Sequence, residues 1–173
     1  MPSTREKVRL HLKVLENPDI PIEKMVNAMS EVYSTAGFDV EIVSTETLNL
    51  PHLKDVDVGT CTMGNVTNEQ KELFEHRNNV NVNELTVYFV RSTIPPYNGC
   101  AAHPSQKPGA VVTRVASVWT LGHEIGHVLG LHHVNNNDQL MTGNGTANIT
   151  NPPPDLSSSE IDTMQNSQYT TPN

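Results

Sequence analysis

The most informative stretch of this chain runs from Thr120 to Thr142 and reads TLGHEIGHVLGLHHVNNNDQLMT. It contains His123-Glu124-Ile125-Gly126-His127, an HExxH segment inside a predicted helix. Residues four apart share one face of a helix, so both imidazoles can bind one metal ion from the same side. Zinc suits imidazole nitrogen, and catalytic zinc sites commonly use three protein ligands and a water molecule. We therefore predict one zinc ion, held in part by His123 and His127.

The predicted third ligand is His133. Together with Gly130 it completes the pattern HExxHxxGxxH. A glycine at position 130 allows the backbone to end the helix and to turn His133 back towards the metal. The neighbouring His132 is the alternative ligand, but the spacing after Gly130 favours His133. A chance match to five fixed positions is rare in a chain of this length.

Glu124 is the predicted catalytic base. Its side chain cannot point the same way as both histidines, and it can instead reach a zinc-bound water molecule. Zinc lowers the pKa of that water, and the neighbouring carboxylate accepts its proton. The resulting hydroxide attacks a peptide carbonyl, and the proton passes to the leaving amine. The predicted activity is that of a zinc endopeptidase.

Two other classes of function fit the same residues. One is a zinc hydrolase that cleaves a non-peptide amide or acts only as an exopeptidase. The other is a catalytically silent binding module that zinc stabilises. The presence of Glu124 argues against the silent module, because a structural zinc needs no base and closes its fourth position with a side chain.

The segment from His123 to His133 resembles the extended zinc motif of the metzincin clan of metalloproteases. It is most similar to the matrixins, whose helix also reads HEIGHxLGLxH. Met141 falls at the matrixin-like spacing of the methionine turn, so the resemblance implies that Met141 forms an apolar floor beneath the zinc. Thr142-Gly143 replaces the Tyr-Pro that commonly follows the matrixin methionine. The resemblance identifies the clan and leaves the subfamily unassigned.

The resemblance also implies where substrate binds. In metzincins an edge strand above the cleft precedes the active-site helix, and extended peptides pair with it in antiparallel fashion. The corresponding segment here is Cys100, Ala101, Ala102 and His103. A substrate side chain on the leaving-group side of the cleaved bond needs a pocket. The residues that follow Met141, from Thr142 and Gly143 to Gly145, are expected to form the wall of that pocket.

Hydrophobic periodicity predicts an α+β fold. Alternating or continuous apolar positions predict strands over residues 8–15, 38–43, 85–90 and 109–115. Helical spacing predicts helices over residues 22–36, 67–75 and 158–166 and a helix from Val118 that Ser117 caps. Thr67 with Gln70 and Ser157 with Glu160 form capping-box patterns. The stretch over residues 44–65 reads as a loop.

The metzincin resemblance implies how these elements are arranged. A twisted mixed sheet of four or five strands and two main helices would lie above the zinc cleft. A small irregular C-terminal part would close with the last helix. We predict a single catalytic domain over residues 1–173, with an upper part over about 1–130 and a lower part over 131–173.

Composition excludes several kinds of partner. The formal net charge is −8 at pH 7 and no basic cluster is present, which argues against nucleic acid. No apolar run has the length of a membrane span, and no apolar signal segment follows the first charged residues. We expect a soluble monomer that acts on peptides or proteins, and the resemblance slightly favours a secreted or extracytoplasmic location.

The cysteines and one polar turn leave alternatives open. Cys61 and Cys100 could form a disulfide or stay reduced in the core, and Cys61 could also act as a latency thiolate on zinc. The oxygen-rich run from Asn135 to Asp138 could bind calcium. It does not match an EF-hand loop, so a polar turn is favoured and calcium is unsupported.

Overall fold

The structure is a computed structural model that describes residues 5–172. Met1 to Thr4 and Asn173, which the predicted domain includes, lie outside the described residues. The strands are β1 (Glu6–Val14), β2 (Phe38–Thr47), β3 (Asp55–Asp57), β4 (Leu85–Val90), β5 (Ser92–Ile94), β6 (Gly99–Cys100), β7 (Gly109–Thr113) and β8 (Thr171–Pro172). The helices are α1 (Ile22–Thr35), α2 (Asn68–Phe74), α3 (Thr120–Val128) and α4 (Ser158–Gln165). Over residues 5–172, no helix has the length and apolar character needed to cross a bilayer.

A mixed sheet with the strand order β2-β1-β4-β7-β6 forms the centre of the fold. The pairs among β2, β1, β4 and β7 are parallel, while β6 runs antiparallel to β7 and β8 runs antiparallel to the start of β1. Every residue of β4 and β7 is buried, as expected for central strands covered on both faces. The predicted combination of a mixed sheet with helices is present, but over residues 5–172 the sheet has six strands rather than the expected four or five, and most of its strand pairs are parallel.

Alternate side chains of the central strands pack into two different hydrophobic cores. Val87 and Phe89 of β4 belong to the core that holds α1 and α3, whereas Tyr88 and Val90 belong to the core that holds α2. This alternation follows from the two-residue period of a strand. Helices α1 and α3 are also joined by a hydrogen bond, because the hydroxyl of Tyr33 donates to a backbone carbonyl of α3 at 2.8 Å. Helix α3 is therefore held firmly against the sheet.

The predicted helix starts are confirmed at α1, α2 and α4 and wrong at α3. Both capping boxes are present, at the start of α2 and at the start of α4. Helix α3, however, begins at Thr120 and not at Val118, and no side chain caps it. The hydroxyl of Ser117 accepts a hydrogen bond from the backbone N–H of Trp119 at 3.3 Å, just before the first residue of α3, and lies 2.6 Å from the hydroxyl of Thr146.

The prediction of a loop over residues 44–65 is wrong in part. Strand β2 continues to Thr47, and β3 pairs in parallel with β5 to form a second, two-stranded sheet. Strands of two or three residues, such as β3, β5, β6 and β8, are too short to show a period in the sequence. Their positions depend on pairing with residues distant in the chain.

Candidate active site

Helix α3 and the turn that follows it bring the three predicted zinc ligands together. His123 and His127 lie one helical turn apart, with ring centroids 4.8 Å apart. The chain then turns at Gly130, whose φ of +105° favours glycine. The ring of His133 returns to within 4.7 Å of His127 and 5.3 Å of His123. One ring nitrogen from each of the three side chains lies within 4.8 Å of the other two.

Backbone carbonyls determine which ring nitrogen carries the proton. Nδ1 of His123 donates to the carbonyl of Leu140 at 2.8 Å, and Nδ1 of His127 donates to the carbonyl of Leu131 at 2.8 Å. A carbonyl can only accept, so the lone pair of each neutral ring is on Nε2. Burial lowers the pKa of His123 to about 4 and also lowers the pKa of His127. Both rings are therefore neutral near pH 7, which is the form that binds a metal.

The spacing of these nitrogens fits a zinc ion. Nε2 of His123 lies 3.3 Å from Nε2 of His133. Two nitrogen ligands at zinc-binding distance, on corners of a tetrahedron, lie about 3.3 Å apart. His132 does not take part in the cluster that the described residues form. The geometry therefore agrees with the choice of His133 over His132.

The carboxylate of Glu124 is buried beside the histidines and lacks a partner. Only 7% of this residue is exposed, and Oε2 has no hydrogen-bond partner among the described residues. Burial raises the pKa of Glu124 to about 8. An unpartnered buried carboxylate is costly unless a cation or water completes its interactions. Its environment therefore also fits a site for a metal ion and water.

Strand β6 packs directly against this carboxylate through Gly99. A Cβ atom on Gly99 would lie 2.8 Å from Cγ of Glu124 and 2.9 Å from the carbonyl oxygen of Val111. Both distances are shorter than real Cβ contacts allow. Position 99 therefore requires glycine if the edge strand and Glu124 are to keep this arrangement.

Met141 lies below the histidines and is fully buried. A Cβ atom on Gly126, which lies between His123 and His127 in the chain, would be 2.7 Å from Sδ of Met141. The thioether therefore packs against the backbone of α3 at the turn that carries both rings. This position agrees with the predicted apolar floor, and the role of Met141 stays a prediction.

Two cavities flank the three histidines, and Glu124 and His133 line both. The large cleft cavity has a volume of about 600 Å³, and its lining includes Met63, Tyr97, Ala101, Ala102 and Leu131. The small cleft cavity has a volume of about 200 Å³, and its lining includes Thr120, Thr142, Gly143, Gly145 and Thr146. The site therefore opens to a larger, mostly apolar space on one side and to a smaller space lined by hydroxyls on the other.

The predicted substrate-binding residues separate into three groups. Ala101 and Ala102 line the large cleft cavity, and Thr142 and Gly143 line the small one. Cys100 is fully buried and lines neither of them. His103 lines a third cavity, further along the same segment. Cys100 and His103 therefore do not line the cavities beside the histidines, and the substrate-binding role of residues 100–103 stays a prediction.

The structure joins Cys61 to Cys100 in a disulfide. Cys100 belongs to β6, and Cys61 belongs to the loop over residues 59–66 that borders the large cleft cavity. No free cysteine occurs within the described chain. A latency thiolate at Cys61 does not agree with this structure, because the sulfur is already bonded.

The asparagine-rich turn supports the wall of the small cleft cavity. Oδ1 of Asn137 accepts hydrogen bonds from the hydroxyl of Thr142 at 2.9 Å and from Nδ2 of Asn144 at 3.0 Å. Oδ1 of Asn135 accepts from the same Nδ2 at 3.2 Å. These side-chain oxygens serve internal hydrogen bonds, which agrees with a polar turn and provides no support for calcium.

Several residues at the site carried no signal in the sequence. Tyr97 and Met63 reach the large cleft cavity from loops far from the HExxH segment in the chain. Thr146 reaches the small cleft cavity through the folding of the C-terminal region. The carbonyls of Leu131 and Leu140 orient two histidines, and a backbone carbonyl does not depend on residue type.

A sequence model of the matrixin family matches residues 53–167, which is more than half of the chain. The match includes all three histidines, Glu124 and Met141. No curated protein sequence matches significantly.

Solved structures of metallopeptidases share the fold, which confirms the predicted metzincin-like arrangement. Metalloproteinase-II from Bacteroides fragilis is 17% identical with a TM-score of 0.66, and the match covers 92% of this chain and 52% of that one. Archaemetzincin from Methanopyrus kandleri is 16% identical with a TM-score of 0.58 and coverage of 92% and 94%. A zinc-dependent peptidase from Methanocorpusculum labreanum is 12% identical with a TM-score of 0.57 and coverage of 90% and 99%. This chain thus spans about half of the Bacteroides protein, and at these identities the likeness concerns the fold alone.

Proposed function

Because the chain belongs to the matrixin family, a family of zinc-dependent peptidases, we propose that it is a zinc endopeptidase in which Glu124 is the general base. The proposal assigns His123, His127 and His133 as the ligands of one zinc ion. We also propose that residues 1–173 form a single catalytic domain, with its upper and lower parts meeting near residue 130.

One observation supports this proposal above the others. Three imidazoles converge, with a 3.3 Å spacing between two of their Nε2 atoms, beside a buried carboxylate whose Oε2 has no hydrogen-bond partner within residues 5–172. A purely structural zinc site has no need of such a carboxylate, because a fourth side chain normally closes it. Here the cluster of the described residues contains three ligands only.

The residues of the chain divide the chemistry between them. Zinc, when bound, supplies Lewis acidity that makes water more acidic and polarises a carbonyl. Glu124 accepts a proton from the attacking water and passes it to the leaving amine. A cation nearby favours the charged form of Glu124, which is the form that a base requires. The carbonyls of Leu131 and Leu140 hold two of the imidazoles in the correct tautomer and orientation.

The edge of the sheet over residues 98–102 determines the direction in which we expect a peptide substrate to bind. The carbonyls of Asn98 and Ala102 accept hydrogen bonds from Thr113 and from the buried Gln70, so they point away from the cleft. Because backbone groups alternate along a strand, those of Gly99 and Ala101 face the cleft. A peptide that pairs antiparallel with this edge places the residues before the cleaved bond in the large cleft cavity. Residues after the bond enter the small cleft cavity.

A cleft with a cavity on each side of the site favours internal cleavage. The experiment that tests this is digestion of a proteome-derived peptide library with the zinc-loaded protein, with a chelator, and after zinc is restored. We expect cuts at internal bonds that disappear with the chelator and return with zinc. Removal of terminal residues alone would indicate an exopeptidase. Folded protein that holds one zinc ion and cuts nothing would indicate a silent module or a hydrolase of another amide.

The small cleft cavity predicts a preference for small residues immediately after the cleaved bond. The hydroxyl of Thr146 lies 2.6 Å from that of Ser117 and 3.0 Å from that of Thr120, which holds this wall in place. Replacing Thr146 by serine keeps the hydroxyl and removes one methyl group. We expect the cleavage ratio of valine to alanine at that position to rise about tenfold, since one methylene in a pocket has an effect of this size.

A matched control for this prediction is Thr86→Ser. Thr86 is also fully buried, lies on β4 and lines neither cleft cavity. The control loses the same methyl group, so any general loosening of the fold affects both variants. An identical cleavage map for Thr146→Ser and the wild type would show that this wall does not select the residue after the bond.

A further inference from the structure

A third cavity, the distal cavity, lies beyond the large cleft cavity along the same edge. Its volume is about 530 Å³, and its lining includes Met63, Val66, Val82, His103 and Tyr169. No charged side chain lines it. The distal cavity does not contact the histidine cluster, and the proposed chemistry does not use it.

The distal cavity adjoins the large cleft cavity. Met63 lines both cavities, so the side chain of one residue forms a wall between them. The backbone runs from Ala101 and Ala102, which line the large cleft cavity, to His103, which lines the distal one. A strand that follows this backbone past Ala102 therefore leads into the distal cavity.

The lining of the distal cavity combines exposed apolar side chains with uncharged polar ones, namely Asn83, His103, Ser105, Gln106 and Gln168. Met63 is 57% exposed and Val82 is 71% exposed, and both are among the large apolar side chains that the described surface leaves open. Nδ1 of His103 donates to the carbonyl of Pro104 at 2.9 Å, and Nε2 has no hydrogen-bond partner among the described residues. The neutral ring therefore presents a lone pair that can accept an N–H group.

Two interactions hold the loop that carries Met63 in place. The disulfide from Cys61 joins it to β6, and Sδ of Met63 accepts a hydrogen bond from the backbone N–H of His103 at 3.4 Å. A wall that is already in place loses little conformational freedom when a ligand binds. The distal cavity is therefore preorganised for an extended chain.

We propose that the distal cavity binds an uncharged, apolar side chain of the peptide substrate, about four residues before the cleaved bond. Gly99 packs against Glu124, and His103 lies four residues further along the edge. A paired peptide advances at the same rate as the strand beside it, about 3.3 Å per residue. This inference rests on the proposed function for the direction of the substrate and adds a second determinant of specificity.

The test measures binding separately from hydrolysis. Fluorescent peptides share one cleavable core that begins two residues before the bond, and they carry at the amino end no extension, Gly-Gly, Leu-Val or Asp-Asp. Their affinity for the zinc-loaded Glu124→Gln variant is measured by fluorescence polarisation. The Leu-Val extension should tighten Kd about tenfold relative to Gly-Gly, as expected when one apolar side chain is buried, and Asp-Asp should not.

Two further variants locate the effect, each combined with Glu124→Gln for the binding measurement. Val82→Asp should remove the gain from Leu-Val. Val115→Asp, which changes another exposed valine that lines none of the three cavities, should retain it. Equal affinity for the Leu-Val and Gly-Gly peptides, or a gain that Val82→Asp leaves intact, would overturn the inference.

Hydrolysis of the same peptides by the enzyme with Glu124 intact is followed in parallel. Tighter binding without hydrolysis would count against the proposed function and leave the distal cavity supported. Hydrolysis of all peptides at equal efficiency, with equal affinities, would count against the distal cavity and leave the proposed function supported. The two failures are therefore distinguishable.

Discussion

Replacing Glu124 by glutamine is expected to lower kcat for peptide hydrolysis by about 10²- to 10⁴-fold, the usual contribution of a positioned base. The amide is nearly the same size as the carboxylate but cannot accept the proton of the attacking water. Oε2 has no hydrogen-bond partner among the described residues, so the substitution breaks no contact at that atom. Zinc content, measured by atomic spectroscopy, and thermal stability should match those of the wild type.

Glu160 provides a matched control for this variant. Its Oε2 atom is also buried without a partner among residues 5–172, and its Oε1 atom accepts the backbone N–H of Ser157 at 2.8 Å. Glutamine retains the acceptor at Oε1, so α4 keeps its capping box. Glu160→Gln should show the kcat of the wild type, because this carboxylate lies outside both cleft cavities. Unchanged kcat in Glu124→Gln would remove Glu124 from the mechanism.

The histidine cluster could be predicted because a short, contiguous segment determines its geometry. The helical repeat sets the relation between His123 and His127, and a glycine at position 130 makes the return to His133 sterically accessible. The α+β fold could be predicted for a similar reason, since the long strands and helices show clear periods. The predicted starts of α2 and α4 were confirmed because both capping boxes are local.

The cleft around that cluster could not be predicted, because it depends on contacts between distant segments. Met63, Tyr97 and Thr146 meet the histidines only after the strands have paired. Helix α3 starts two residues later than predicted, because the hydroxyl of Ser117 accepts the backbone N–H of Trp119 in a turn that precedes the helix. The close contact between Gly99 and Glu124 could not be predicted either, because a glycine that follows an asparagine is typical of a turn.

Gly99→Ala is expected to lower kcat/KM by about 10²-fold, the loss that a displacement near 1 Å can cause at an active site. The new Cβ atom would lie 2.8 Å from Cγ of Glu124 and 2.9 Å from the carbonyl of Val111. The carbonyl belongs to the backbone of β7 and moves little, so we expect Glu124 and the edge strand to shift instead. Zinc content should stay unchanged, because the three atoms nearest to the new Cβ belong to Glu124 and Val111 and to none of the histidines.

The control for this variant is Gly122→Ala, next to His123 on α3. A Cβ atom there would meet Cγ of Met29 at 3.4 Å, at the margin of ordinary contact and against a flexible side chain. Alanine also favours a helix over glycine by about 1 kcal/mol, so this variant should remain folded and active. Equal kcat/KM for Gly99→Ala and the wild type would show that the edge strand tolerates a side chain beside Glu124.

A double-mutant cycle separates the two ways in which Gly99→Ala could act. The new methyl group at position 99 could lower kcat/KM by displacing the carboxylate of Glu124. In that case it should lower kcat/KM little further in a variant whose residue 124 is already glutamine. The two substitutions should then be far from additive, as is usual for residues in contact. If the full loss persists in the Glu124→Gln background, the substitution acts instead on the pairing of substrate with the edge. The double variant therefore shows whether Gly99 serves the base or the substrate-binding edge.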